Sequence, residues 1–312
     1  MNPTTLLRSP SVPAFVGAGA VWLIAALIAR HGFLTTLVVG ASVATFLVVV
    51  GVGQMFVVTG GNGGIDLSIP AVMTLSAFVS CEVMAGRNEL LLLGVGAALL
   101  TGLSAAAANA TLIELVGLPP LVATLAVGFV IQSAILVLSS SASGLSSPAL
   151  GSFVAGHWGP VPIFAGFGIV VTLASAVLLR RTSYGRRVEA VGQNATAARL
   201  AGLRPHWIRA STYLISGLTS ALGGLLLAAY TGGASLDLGT PYQLASIAVV
   251  VLGGSLIVGG RSSPSGVWAA SLLLTLLVTL INVAHISTGM QNLVEGALII
   301  LVLCFASSPS KA

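Results

Sequence analysis

The stretch Gly51–Met73, GVGQMFVVTGGNGGIDLSIPAVM, decides how the rest of the chain is read. An apolar run enters it, Gly60, Gly61, Gly63 and Gly64 interrupt it, Asp66, Ser68 and Pro70 follow, and a second apolar run leaves. Consecutive glycines sustain a helix poorly, Asp or Ser caps the next one, and proline is tolerated in a first turn where its missing N–H costs nothing. The stretch therefore predicts a helix that breaks and resumes. In lipid such a break is tolerated where its backbone and small polar side chains face a cavity. Gln54, Asn62, Asp66 and Ser68 are then candidates to touch a polar solute. An ordinary loop with Asp66 as an N-cap accounts for the same residues.

Working outward, lipid is the solvent that the composition requires. Apolar types make up 56% of the 312 residues and charged types only 6%, against about 25% charged in soluble domains. So few charges cannot clothe a surface in water. The 38 glycines fit close helix packing and broken helices. With roughly 20 apolar residues needed per crossing, the pattern predicts ten spans, at 12–29, 33–58, 66–85, 90–114, 119–138, 161–179, 210–230, 241–259, 265–283 and 290–306. The third and eighth, rich in Gly, Ser or Pro, are the candidates for re-entrant or broken segments. The expectation is an all-α polytopic membrane protein of about ten transmembrane helices, one membrane domain over residues 1–312.

Charge sets the orientation. Seven of the eleven arginines lie between Arg180 and Arg209, opposed only by Glu189. The stretch 139–160 contains no Asp, Glu, Lys or Arg. Positive residues collect on the cytoplasmic side of membrane proteins. This places 180–209 in the cytoplasm and, with ten crossings, both termini there as well, including Arg8 and Lys311; Arg30 and Arg87 are mild exceptions. The net charge of +5 is explained by this bias, with no nucleic-acid partner implied. Cys81 and Cys304 sit in or beside apolar segments without ligand spacing, so they read as reduced structural thiols.

Several chemistries are excluded. A phosphate-binding loop of the Walker type needs a lysine, and the one lysine is Lys311, next to the C-terminus. His31, His157, His206 and His285 are scattered, without Cys or carboxylate at metal-ligand spacing, and no H-E-x-x-H or G-x-S-x-G occurs. The chain is expected to be no enzyme, to bind no metal or cofactor, and to lack an ATPase site. Ion-coupled carriers place ionisable groups at membrane depth; here only Asp66 and Glu295 qualify. An external engine reconciles these absences.

Two further segments stand out. In RRTSYGRRVEAVGQNATAARLAGLRPHWIRA, residues 180–210, Asn194 or Thr196 can cap a short helix through Ala197, Ala198, Arg199, Leu200 and Ala201, ended by Gly202 and barred from continuing by Pro205. Its small-residue face and flanking arginines suit a groove on an acidic soluble partner. The positive-inside bias explains the arginines but not the defined start and stop. In IAVVVLGGSLIVGGRSSPS, residues 247–265, the pairs Gly253–Gly254 and Gly259–Gly260 permit close backbone approach. Packing alone accounts for them better than solute contact. Together with the glycines at 60–64 they fit a duplication of two five-span halves.

These three segments carry a resemblance. The chain resembles the permease subunits of ribose-type sugar ABC importers in Gly53-Gln54-Met55-Phe56-Val57 followed by Gly63-Gly64-Ile65-Asp66-Leu67-Ser68. It does so again in Tyr184-Gly185-Arg186, Ala190-Val191-Gly192-Gln193-Asn194, Ala197-Ala198 and Gly202, and in Ile247 to Arg261. The likeness runs from about Leu37 to near the end, in the same order and spacing. It departs at an apparent insertion of Asn62-Gly63, at Pro70, and at Gln243 and Ala245, which replace an acidic pair.

The resemblance implies the fold of an ABC importer permease in a bacterial inner membrane, working as a dimer with a second copy or a paralogue. It implies a cytoplasmic ATPase subunit that binds the ATP and Mg²⁺, and a periplasmic or lipid-anchored solute-binding protein. Asn194, Ala197, Ala198, Arg199 and Gly202 would form the coupling helix that docks on the ATPase. The implied cargo is a monosaccharide or related small polyol; relatives handle nucleosides. An ion-coupled secondary transporter and a passive polyol channel are the alternatives.

Overall fold

Long apolar helices alternate with short polar joints through most of the chain. The computed structural model describes residues 12–29, 32–139 and 144–283, with 289, 290, 293, 296 and 297 beyond them. The helices are α1 (Val12–Ala29), α2 (Phe33–Thr59), α3 (Ile69–Met84), α4 (Leu91–Glu114), α5 (Pro120–Ser139), α6 (Pro148–Ala155), α7 (Ile163–Arg181), α8 (Ser183–Gln193), α9 (Ala195–Leu200), α10 (Pro205–Thr231), α11 (Tyr242–Leu252) and α12 (Pro264–Val283). One two-stranded antiparallel hairpin, β1 (His157–Trp158) with β2 (Val161–Pro162), lies between α6 and α7.

Among the described residues six helices are long and apolar enough to cross a membrane, and Val12–Ile28, Ile69–Met84 and Tyr242–Leu252 are shorter apolar helices. The chain is a multi-pass, all-α membrane protein. Apart from 290, 293, 296 and 297, the expected tenth span at 290–306 lies outside the described residues, as do Arg8, Arg30, His31, His285, Glu295, Cys304 and Lys311.

Several boundaries differ from expectation, each for a local reason. The third span becomes helical only at Ile69, with Pro70 in its first turn, because the chain from Gly60 to Ser68 is spent on the break. The eighth ends at Leu252 and not at 259, since Gly253 and the left-handed Gly254 (φ +82°) stop it. The seventh begins at Pro205, five residues before the expected 210. Residues 180–209, expected as a loop with one short helix, also hold α8, whose buried Gly185, Val188 and Val191 repeat at helical spacing. The uncharged stretch 139–160 contains α6, capped by Ser147, whose hydroxyl accepts the Ala149 N–H.

The core is organised around α10, which packs against α2, α3 and α4. In its most apolar window 72% of residues are buried, against 28% in the corresponding windows of α4 and α7, so α10 runs inside and those two run at the rim. Leu92, Leu100 and Val130 project from the rim into what the bilayer would occupy. α4 and α10 cross in backbone contact. A Cβ on Gly102 would collide with the Gly217 carbonyl, and one on Gly217 with that of Gly102. Small residues let membrane helices gain dispersion and backbone contact where no hydrophobic force drives them together.

Candidate functional site

The break after α2 closes over a buried carboxylate. Gly60 N–H donates to Phe56 O at 3.1 Å and Gly61 N–H to Val58 O at 3.0 Å, which ends the helix. The chain then folds back so that Asp66 N–H donates to the Gln54 side-chain carbonyl at 3.2 Å. Asp66 Oδ1 accepts from Ser68 N–H at 3.0 Å and from the Ser68 hydroxyl at 2.6 Å. Its Oδ2 accepts from the Ser216 hydroxyl of α10 at 2.6 Å. Asn109 of α4 donates to Ser68 Oγ at 2.8 Å.

The Asp66 carboxylate thus accepts from Ser68 and from Ser216 of α10, the Asp66 N–H donates to Gln54 of α2, and Ser68 extends the cluster to Asn109 of α4. Among the described residues no salt bridge reaches Asp66; the one ion pair is Arg209 with Glu114. Gln54 Nε2 and Asn109 Oδ1 have no hydrogen-bond partner there.

Of the four residues picked out for solute contact, three meet in this cluster and are fully buried: Gln54, Asp66 and Ser68. Asn62 stands apart. It is exposed, left-handed (φ +59°), and lines a small crevice with Glu114, Arg209 and Tyr213. There Arg209 clamps Glu114 with two parallel bonds of 2.8 and 2.9 Å. Ser68 starts α3 without capping it through its side chain; the Asp66 carboxylate instead receives Ser68 N–H in an Asx turn. Asn109 and Ser216 had no motif to reveal them, because each is a lone polar residue in an apolar helix.

The second centre is a junction made of backbone. A Cβ on Gly192, near the end of α8, would collide with the Thr59 carbonyl at the end of α2 and stand 2.5 Å from the Gly260 nitrogen. A Cβ on Gly259 would fall 2.5 Å from Gly61 Cα. Gly260 N–H donates to Thr59 O at 2.9 Å, Gln193 Nε2 donates to Gly260 O at 3.2 Å, and the Thr59 and Ser262 hydroxyls share a bond of 2.6 Å. The two glycine-rich breaks therefore touch each other, and α8 is seated on both.

The other predicted glycines fall around this junction. Gly63 is exposed with φ +65°; Gly64 packs on Val57 O; Gly253 packs on the backbone of Gly266 at the start of α12. Tyr184 links α8 to Ser211 of α10 at 2.9 Å, and burial pushes its phenol pKa up, partly offset by that bond. Burial likewise raises the pKa of Glu189, against the pull of Arg180 and Arg261.

α9 follows α8 directly. Asn194 caps it, its side chain accepting Ala197 N–H at 3.0 Å, and Gly202 (φ +83°) carries the chain out. Ala198 is buried, while Ala197, Arg199 and Gly202 are exposed. Leu200 is 86% exposed and Trp207, one turn into α10, is 62% exposed, an apolar pair set among Arg199, Arg204 and Arg209.

A third feature is a half-open cavity between α3, α5 and the segment joining α10 to α11, lined in part by Thr74, Phe129, Gln132, Thr240 and Gln243. The joining segment is held down on α3, with Gly239 N–H donating to Thr74 Oγ1 at 3.0 Å and its Cα pressed on the Pro70 backbone. None of Gln54, Asp66 or Ser68 lines this cavity.

Broken helices inside the membrane, joined through backbone to a short capped helix outside the apolar spans, define a class of transport-system membrane subunit. The comparisons with known proteins agree. A family model described as "Branched-chain amino acid transport system / permease component" matches residues 36–303, and the chain belongs to that family.

It is 31% identical over 270 residues to the Probable ABC transporter permease protein y4mJ of Sinorhizobium fredii, covering 85% of this chain and 79% of that one. It is 30% identical to the D-allose transport system permease protein AlsC of Escherichia coli, over 85% of this chain and 81% of the relative. Identity to the Autoinducer 2 import system permease protein LsrD of Klebsiella pneumoniae is 31%, over 78% and 75%. No solved structure matches the chain.

Proposed function

We propose that this chain is the membrane-spanning subunit of an ABC importer that brings a monosaccharide or related small polyol into the cytoplasm, energised by a separate ATPase subunit. Family membership and relatives named for D-allose and autoinducer 2 import support this reading. The single observation that carries the mechanism is the backbone junction in which Gly192 of α8 sits on Thr59 and Gly260. A helix outside the membrane that abuts both intramembrane breaks can move them together.

The partners follow from that role. The ATPase binds ATP and Mg²⁺; the only lysine of this chain, Lys311, has no phosphate loop around it. α9, with Leu200 and Arg199 outermost, docks on that subunit, and closure of the ATPase pushes on α9 and α8. Solute arrives from a periplasmic or lipid-anchored binding protein, and a second copy or a paralogue completes the pore. The chain is one membrane domain of ten crossings with 180–209 and both termini in the cytoplasm, in keeping with the arginine asymmetry.

The test uses the assembled complex in proteoliposomes with its binding protein. Arg199→Glu and Leu200→Asp are exposed changes; each should cut ATP-dependent uptake at least tenfold while the permease elutes as a folded species. Normal uptake by both overturns the docking assignment. A mild-detergent pull-down should co-recover a P-loop ATPase. Recovery of the chain alone, with uptake intact after ATP depletion, overturns the importer reading.

A further inference from the structure

The cavity between α3, α5 and the 232–243 segment holds polar groups that the fold does not use. The side chains of Gln132, Thr240 and Gln243 make no hydrogen bond among the described residues, though all three line it. Thr74 differs, since its hydroxyl donates to Pro70 O and accepts Gly239 N–H, and so shapes the wall. Two free amides and a hydroxyl are costly against hydrocarbon, so in a membrane protein such groups face water or a solute. The cavity has room for them to do so, at about 130 Å³, well above the ~10–15 Å³ that one water needs.

Resting on the importer reading, we propose that this cavity is a solute-contact site and that its ligand is a neutral polyhydroxy molecule of monosaccharide size. Gln132 and Gln243 supply donors and acceptors from two different helices, α5 and α11, and Thr240 adds a hydroxyl. Phe129, 64% exposed on the same wall as Gln132, offers an apolar ring for the C–H face of a sugar. Apolar walls with a few convergent polar groups are the usual make-up of small-molecule sites.

Among the described residues no ionisable side chain lines the cavity. That argues against an amino acid, whose two charges need charged or dipolar partners at membrane depth, although the family description names branched-chain amino acids. The cavity also lies on the half of the molecule remote from α8 and α9, since Gln132 is in the second half of α5 and Gln243 opens α11. A solute handed over on the side opposite the ATPase would meet it first.

Two measurements on the whole complex test this. In a background with Cys81 and Cys304 replaced by serine, Gln132→Cys and Gln243→Cys should both react with a membrane-impermeant maleimide; failure of both to react means the cavity faces lipid and overturns the proposal. Uptake of radiolabelled D-ribose, D-allose and L-leucine is then compared at matched amounts of assembled complex. The double variant Gln132→Leu/Gln243→Leu should lose at least tenfold of whichever sugar uptake the wild type shows, and L-leucine should not be carried. Equal sugar uptake by variant and wild type overturns the site alone. Wild-type uptake of L-leucine, or of neither sugar, overturns the solute reading above and the site with it.

Discussion

The breaks after α2 and after α11 begin alike and end differently. In each, a first glycine keeps helical angles and a second turns left-handed: Gly60 and Gly61 (φ +77°), then Gly253 and Gly254 (φ +82°). In each, the first N–H reaches back four residues, to Phe56 or Val249, and the second three, to Val58 or Val251. Beyond that point the first break buries a carboxylate bonded to α10 through Ser216 and, by way of Ser68, linked to Asn109 of α4, while the second is closed by hydroxyls near in sequence. Ser263 N–H donates to Ser255 Oγ at 3.4 Å and Gly266 N–H to Ser263 Oγ at 3.2 Å. The same stop signal therefore serves two purposes, and the side chains after it decide which. One break fastens helices together; the other mostly fastens itself.

The largest expected effect comes from the residue that touches both. Gly192→Val would drive apart Thr59 and Gly260, and should leave no monodisperse permease on size-exclusion chromatography in detergent; a normal profile would mean the junction is not close-packed. Next is the fastening break. Asp66→Leu strands the Ser68 and Ser216 donors, at a cost of about 2–4 kcal/mol, seen as a lower thermal midpoint in a detergent melt. Asp66→Asn, which keeps one acceptor, should cost about half as much. An unchanged midpoint for Asp66→Leu would erase the contrast between the breaks.

The bridge between the two is smaller. A double-mutant cycle on Thr59→Val and Ser262→Ala should return a coupling of about 0.5–1.5 kcal/mol, and a value of zero would show that the breaks merely lie near one another. In the second break Ser263→Ala should cost about 1 kcal/mol. Arg261→Ala, exposed at its edge, should stay within about 0.5 kcal/mol.

What could be read from the residues divides along the same line. The start and stop of α9 were legible because Asn194 and Gly202 act on their own neighbours; capping is local chemistry. The broken helix at 60–68 was legible because consecutive glycines leave no other choice. α8 was obscured by its arginines, although Val188 and Val191 carry a helical period on the face that packs inward. The partners of Asp66 were out of reach. Ser216 is 150 positions away, and nothing in a lone serine says which carboxylate it will meet. Gln132 and Gln243 were equally mute, since their significance is that they converge. Gln243 entered only as a departure from a pattern. The expected eighth span runs past the end of α11 because Ser255 to Val258 are apolar enough to read as span, whereas Gly254 has already turned the chain.

The clamp between Glu114 and Arg209 has a consequence in time. Its two halves are 95 positions apart, so at typical synthesis speeds Glu114 is made roughly 5–20 s before its arginine. During that interval the end of α4 carries an unpaired carboxylate, and the Gly102 notch about three turns before it has no helix to fill it. Both are answered by the arrival of a single element, α10. A nascent chain stalled before residue 205 should therefore present to the insertion machinery an α4 that is in place but still adhesive along one edge.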